Sequence, residues 1–289
     1  MRFNWAKKLI QGIRYLFLIV ATLAGVLGGT LSCANPAFSN DWVYSVTMDG
    51  EDIGQMKTVI NALPAGQQIT ETSELLIPSI WGDTEIHSYK HESYGQNDNR
   101  DVSALIKASY LTLYNDYLML VDITPAHRGL LKYHMQWFEL NQDQSEQVKA
   151  SWKQLSISDT ISTAVDGLIS ERMQAQVTTL KTTETYSTFL DPNDFDMTLT
   201  AFNLRLPKLL PDDQKRSFRL FDPESDHEVP FYQVTAQLAS AKPLQQINVD
   251  YDGGGRSVYQ YDVSEESSRL VTLHDESGEE SIVLKLRHF

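Results

Sequence analysis

The chain has 289 residues, of which 42% are hydrophobic, with 38 acidic side chains against 24 basic ones and a single cysteine. That length holds one large domain or two modest ones, and the apolar fraction is ample for a packed core. A formal charge of -14 argues against nucleic acid as a partner, because phosphate binding needs a basic surface. One cysteine excludes an intramolecular disulfide and any multi-cysteine metal or cluster site.

Residues 1–14 carry Arg2, Lys7, Lys8 and Arg14 and no acid. An apolar run from Tyr15 to about Leu31 follows, broken by Gly28-Gly29, and Ala37-Phe38-Ser39 then places small residues before Asn40. This order of charged, apolar and small-residue segments predicts a secretory signal peptide over residues 1–39, cleaved before Asn40 to leave a periplasmic chain. Two alternatives stay open. The apolar run over residues 15–34 is nearly long enough to anchor an uncleaved chain in a bilayer. Lipidation at Cys33 is the other, although Leu31 stands one place too close to that cysteine. Cleavage removes four basic residues, no acidic ones and the lone cysteine, which leaves a formal charge of -18 and suits an oxidising compartment. So acidic a surface repels anionic headgroups and disfavours electrostatic membrane docking.

Beyond residue 40 the dominant period is two. Trp42, Tyr44, Val46 and Met48 alternate with polar neighbours, Asp49-Gly50 supplies a hairpin turn, and the run from Ile53 to Ile60 returns. From Thr84 to Tyr94, Ile86, Ser88, Lys90 and Glu92 share one strand face and His87, Tyr89, His91 and Ser93 the other. Asn115-Asp116 separates Tyr110–Tyr114 from Tyr117–Val121 as a two-residue turn, although a helix through Ile106, Tyr110, Leu113 and Tyr117 fits the same stretch. Leu131, Tyr133, Met135 and Trp137 line one face of the next strand. Further strands are expected at 148–157, 172–181, 216–222, 229–238, 245–251, 257–263, 268–274 and 281–287, the last four as an antiparallel meander.

One helix interrupts the strands. Asp191 is placed to cap it, Pro192 fits its first position, Asp194 and Asp196 suit its positive end, and Phe195, Leu199, Phe202 and Leu206 recur at helical spacing until Pro207. So apolar a stripe must pack on a sheet face or plug a barrel mouth. The expected fold is mainly β: a large curled antiparallel sheet or half-barrel with one amphipathic helix packed on or plugging it. Residues 40–289 read as a single β-rich domain, with two lobes meeting near 140–190 as a variant.

The opening Trp42-x-Tyr44-x-Val46-x-Met48-Asp49-Gly50-x-x-Ile53-Gly54 resembles the first strand and turn of exported bacterial β-proteins grouped as domains of unknown function. Tyr89-Lys90-His91, and the stretch from Asp191-Pro192 through Leu206 to the closing meander at Arg216–Leu286, are similar to further pieces of such groups. The resemblance covers about half of residues 40–289. It implies a curled antiparallel sheet akin to lipocalin-like and lipoprotein-carrier folds, and it brings no catalytic residue with it.

Catalytic signatures are missing from the sequence: there is no Gly-x-Ser-x-Gly elbow, no phosphate-cradling glycine loop, no His-Glu-x-x-His and no dinucleotide fingerprint. His87 and His91 have the ligand spacing of a helix, but on a strand that spacing is about 13 Å, too far for one ion. Asp226-His227-Glu228 and His274-Asp275-Glu276 fall where turns are expected and read as solvated turn residues. Asp250-x-Asp252-Gly253 resembles the start of a calcium loop but lacks the later ligands, and reads as a hairpin turn. No catalytic residue, metal or cofactor is assigned.

Aromatic residues make up 10% of the chain, and many fall on alternating strand positions, where they line either a cavity or an ordinary core. The function expected is that of an exported binding or carrier protein for a hydrophobic ligand or lipid in the cell envelope. Its ligand wall would be Tyr44, Tyr89, Trp137, Phe195, Leu199, Phe202 and Tyr259. The alternative is a non-catalytic accessory that presents a sheet edge or acidic face to an envelope protein partner. A third reading, an envelope hydrolase, requires His227 or His274 to meet an acid and a nucleophile in one cleft.

Overall fold

The structure, a computed structural model, describes residues 39–63, 66–78, 82–95, 104–146, 148–149, 182–210, 215–224, 231–241, 244–263, 268–275 and 281–287. The signal-peptide segment, the apolar stretch 15–34 and Cys33 lie outside them, as do the expected strand at 172–181 and Asp226-His227-Glu228.

The described residues form one curled, unclosed sheet of 15 strands. Its first meander comprises β1 (Ser39–Met48), β2 (Glu51–Leu63), β3 (Gly66–Ile77), β4 (Thr84–Gly95), β5 (Ala104–Tyr114), β6 (Tyr117–Pro125), β7 (Leu131–Glu139) and β8 (Thr182–Leu190). A two-residue strand, β9 (Met197–Thr198), then leads into helix α1 (Leu199–Leu209). The second meander is β10 (Lys215–Phe221), β11 (Phe231–Ser240), β12 (Gln245–Tyr251), β13 (Arg256–Val263), β14 (Ser268–Asp275) and β15 (Ile282–Leu286). β15 pairs antiparallel with β1, Tyr44 opposite Leu286 and Met48 opposite Ile282, so the two meanders join at the middle of the sheet. The outermost strands are β8 and β9, and every pairing is antiparallel except β9 with β10. The expected mainly-β curled sheet is what the chain forms, and its one parallel pair makes it mixed.

Turn chemistry follows the sequence. Asp49 and Gly50 both adopt positive φ (50° and 86°), the conformation a tight two-residue hairpin needs. Asn115 takes φ 48° between β5 and β6, so that stretch is the hairpin and not the helix. Asp250-x-Asp252-Gly253 turns β12 into β13, with Arg256 paired to Asp250 at 2.7 Å.

Four expectations need correction. The helix begins at Leu199 and not near Asp191: Thr198 is its cap, accepting the Ala201 amide at 3.1 Å, and it runs through Pro207 to Leu209. Asp191 instead accepts the Asn193 amide in a local turn, and Asp196 accepts the Arg219 amide, so these acids serve loop backbone and not a helix dipole. Residues 148–149 are helical, not the start of a strand at 148–157. His274 and Asp275 end β14 and do not sit in a turn. β3 and β8 are strands that the sequence pattern does not mark.

The interior is lined by alternating residues of both meanders, among them Tyr44, Met56, Ile60, Tyr133, Phe218, Tyr259 and Leu284, together with α1. A smaller apolar cluster on the opposite face of the sheet joins Tyr89, Leu111, Leu113, Leu118, Phe138 and Leu140 with Val148 of the helical stretch. β4 is therefore covered on both faces, and every residue from Ile86 to Tyr94 is buried.

Candidate functional site

The inner face of the first meander is not uniformly apolar. In the register of the sheet, Glu71 of β3 lies directly opposite Lys90 of β4, and Lys90 opposite Tyr110 of β5. One row along, Ser73 faces Ser88 with hydroxyl oxygens 2.7 Å apart, and Ser88 faces Thr112. Glu92 sits two residues beyond Lys90 on the same face. Glu71, Lys90 and Glu92 are each at most 1% exposed.

The second meander completes this cluster. Glu224, just past β10, reaches across the interior to the first meander: it lies 2.5 Å from the Lys90 ammonium and accepts the Thr112 hydroxyl at 2.6 Å, while Asp222 acts on Lys90 and Tyr114 electrostatically. Tyr133 of β7 donates to the Pro223 carbonyl at 2.9 Å. Glu92 accepts hydroxyl bonds from Tyr94, from Tyr110 and, at 3.1 Å, from Thr198. Buried charges are retained only when paired or hydrogen-bonded: Lys90 is ion-paired to Glu224, and Glu224 and Glu92 accept hydroxyl bonds.

Glu71 does not. Neither of its carboxyl oxygens takes a hydrogen bond, and the Lys90 ammonium stands 3.7 Å from Oε1, beyond hydrogen-bonding reach. Burial, only partly offset by Lys90, pushes its pKa up to about 8, so the group is largely protonated at neutral pH. Burial also raises Glu92, opposed by its three hydroxyl donors. Burial would lower Lys90, but the carboxylates of Glu224 and Glu71 outweigh it and hold the ammonium charged.

The polar belt continues into the second meander. Asp222 and Tyr251 act electrostatically on Tyr232, and the Tyr251 hydroxyl lies 3.1 Å from Ser257, which donates to Asp275 at 2.5 Å. The Tyr232 hydroxyl is buried with no hydrogen-bond partner.

α1 crosses the same interior. Asn203 accepts from Tyr259 through its side chain at 3.2 Å and from Tyr261 through its carbonyl at 2.8 Å, both on β13. Arg205 reaches the other way, to Gln67 of β3 at 3.4 Å and over the Tyr94 ring of β4. The helix thus touches both meanders, and nine of its eleven residues are buried, which a helix lying on a sheet face with one side to solvent would not show.

The expected ligand wall divides. Tyr44, Leu199, Phe202 and Tyr259 lie in the interior, and the Phe202 ring packs edge-on against Tyr259 at 6.5 Å and Phe218 at 5.3 Å. Phe195 is interior too, but from the turn before β9, against Phe221 at 5.0 Å and Phe231 at 5.9 Å. Trp137 borders the interior, stacked on Tyr114 at 5.9 Å. Tyr89 is the exception: it points out of the interior into the smaller cluster behind β4, because odd and even residues of a strand face opposite ways. His87 and His91 share that outer face and go to separate partners, Glu85 at 2.8 Å and Thr70 at 3.0 Å.

Alternation misses Glu71, Lys90, Glu92, Asp222, Glu224 and Tyr232 because polar residues at alternate positions read as a solvated face. The usable signal was Tyr89 and its neighbours on the opposite face of β4, which show that both faces of this strand need cover. No family model, curated protein or solved structure matches the chain.

Proposed function

We propose that the chain is an exported binding protein that carries a hydrophobic ligand or lipid in the cell envelope, inside its curled sheet, with α1 as a plug that the ligand displaces. The observation that carries this reading is the position of α1. It is the helix that crosses the interior, it bonds to both meanders, and its apolar residues Leu199, Phe202, Leu204 and Leu206 occupy the space the sheet encloses. Apolar burial is non-directional, so a guest of matching volume restores to the sheet the contacts that the helix gives up, and the apolar residues that the displaced helix exposes set the cost of entry. An unclosed sheet also leaves a seam through which a guest enters.

The test uses the neutral fluorescent probe N-phenyl-1-naphthylamine with the chain from residue 40 onward. The expected result is saturable, one-to-one fluorescence enhancement accompanied by faster amide exchange over Leu199–Leu209. Absence of saturable binding would overturn the reading.

A second reading, an accessory docking to an envelope protein, is favoured by Phe189. It is 64% exposed on β8, an outermost strand of the sheet. Exposed strand edges pair with other chains, and an exposed aromatic residue there adds an anchor.

A further inference from the structure

We infer that the polar belt at Glu71, Lys90, Glu224 and Tyr232 recognises the headgroup of the carried molecule, and that this headgroup is a non-anionic hydrogen-bond donor, a polyol or an amine. The inference rests on the carrier reading and adds the chemical class of the ligand.

Beside the ion-paired Lys90, the belt holds two buried groups that take no hydrogen bond, the Glu71 carboxyl on β3 and the Tyr232 hydroxyl on β11; the Gln68 and Asn248 amide oxygens are further such groups outside the belt. The two belt groups come from different meanders, so no single local packing defect accounts for both. A buried polar group without a partner bears its full desolvation penalty, and native cores carry few of them. A ligand donor seated on Glu71 removes the one penalty and a ligand hydroxyl bonded to Tyr232 the other, with the Asp222–Glu224 turn, which acts on both residues, between them.

The charges select the class. One ammonium, Lys90, faces Glu71, Glu92, Asp222 and Glu224, and Glu224 already holds it at 2.5 Å. A phosphate or carboxylate entering here meets several acids at low effective dielectric, and the buried Lys90 and half-buried Arg205 already stand against Glu224 and the Tyr94 ring. A hydroxyl both donates and accepts, so it satisfies Glu71 in either protonation state. An ammonium is held by the ionised form.

The experiment holds the chain length fixed and varies only the headgroup. Monolauroylglycerol, dodecylamine, laurate and dodecyl phosphate, each below its micelle concentration, compete with N-phenyl-1-naphthylamine on the unmodified chain. The expected result is displacement by the glycerol ester and the amine at concentrations at least ~10-fold lower than by either anion. Equal or stronger displacement by the anions overturns the headgroup inference and leaves the carrier reading standing. Failure of the naphthylamine itself to bind overturns the carrier reading, and the inference falls with it. Tyr232→Phe supplies a readout independent of folding. It removes a hydroxyl that bonds to nothing in the chain, so its melting temperature is expected to stay level while affinity for the glycerol ester falls ~5-fold. Unchanged affinity in that variant would remove Tyr232 from the site and contradict the belt as drawn.

Discussion

Thr198 donates its hydroxyl to the Glu92 carboxylate at 3.1 Å, across 106 residues of chain, while the same oxygen accepts the Ala201 amide that opens α1. One side chain therefore caps the plugging helix and fastens the second meander to the inner face of the first.

Thr198→Val removes both roles with little change in shape. The lost cap and the donor taken from a buried carboxylate are expected to lower stability by about 2–4 kcal/mol in denaturant titration. Thr198→Ser keeps the hydroxyl and is expected to stay within about 1 kcal/mol of the parent.

Lys90 is the single ammonium among the buried acids. Lys90→Met leaves the Glu224 carboxylate buried without its ammonium, and is expected to cost about 3–5 kcal/mol. Adding Glu224→Gln removes the stranded charge and is expected to recover at least half of that loss. A double variant no more stable than the single one would show that the pair is not coupled as described.

Glu71 gives the stability of the fold a pH dependence. Its folded pKa, about 8, lies above its unfolded value, so the unfolded state binds fewer protons between those limits. The stability from its protonated form is complete below the ordinary carboxyl range near 4.5 and is lost as pH rises through about 8. Melting temperatures are expected to fall from pH 5 to pH 8.5, and Glu71→Gln, neutral throughout, is expected to flatten that part of the profile. An equally steep profile in the variant would assign the titration elsewhere.

Gly54 occupies the bulge where β1 and β2 slip register between Val46 and Thr47. Its φ is 142°, and a Cβ there would stand 2.1 Å from the Glu74 carbonyl oxygen on the neighbouring strand. Gly54→Ala must shift backbone, with an expected cost of about 2–3 kcal/mol by thermal or chemical melting. The Ile53-Gly54 step in the opening motif thus has a structural cause.

The sheet was legible wherever one face was apolar and turns were marked by Asp-Gly or Asn-Asp, as in β1, β2, β5, β6 and the closing meander. β3 escaped because Glu71 and Ser73 occupy inner positions between Ile69 and Leu75, and a charged inner residue breaks the alternation that marks a half-buried strand. β8 escaped because, as an outermost strand, it has no fully buried residue before Leu190, and Tyr186 is the one aromatic among the polar residues of Thr182–Ser187. The helix stripe was correct in its apolar residues and wrong in its start. Phe195 shares the spacing, but Met197 and Thr198 pair with Leu220 and Phe221, and that pairing holds the chain extended until Leu199. The polar belt depends on segments far apart in sequence meeting across the curl. Local period carries no information about which inner face Glu224 or Asp222 will reach.

Native mass spectrometry of the protein purified from its own envelope, before and after organic extraction, tests the central claim most directly. The expected spectrum shows a stoichiometric adduct that extraction releases as an apolar molecule with a hydroxyl or amine headgroup, on a chain that begins at Asn40. A bare chain mass before extraction, with no change afterwards, would contradict the carrier reading and shift the weight to a protein partner at the β8 edge.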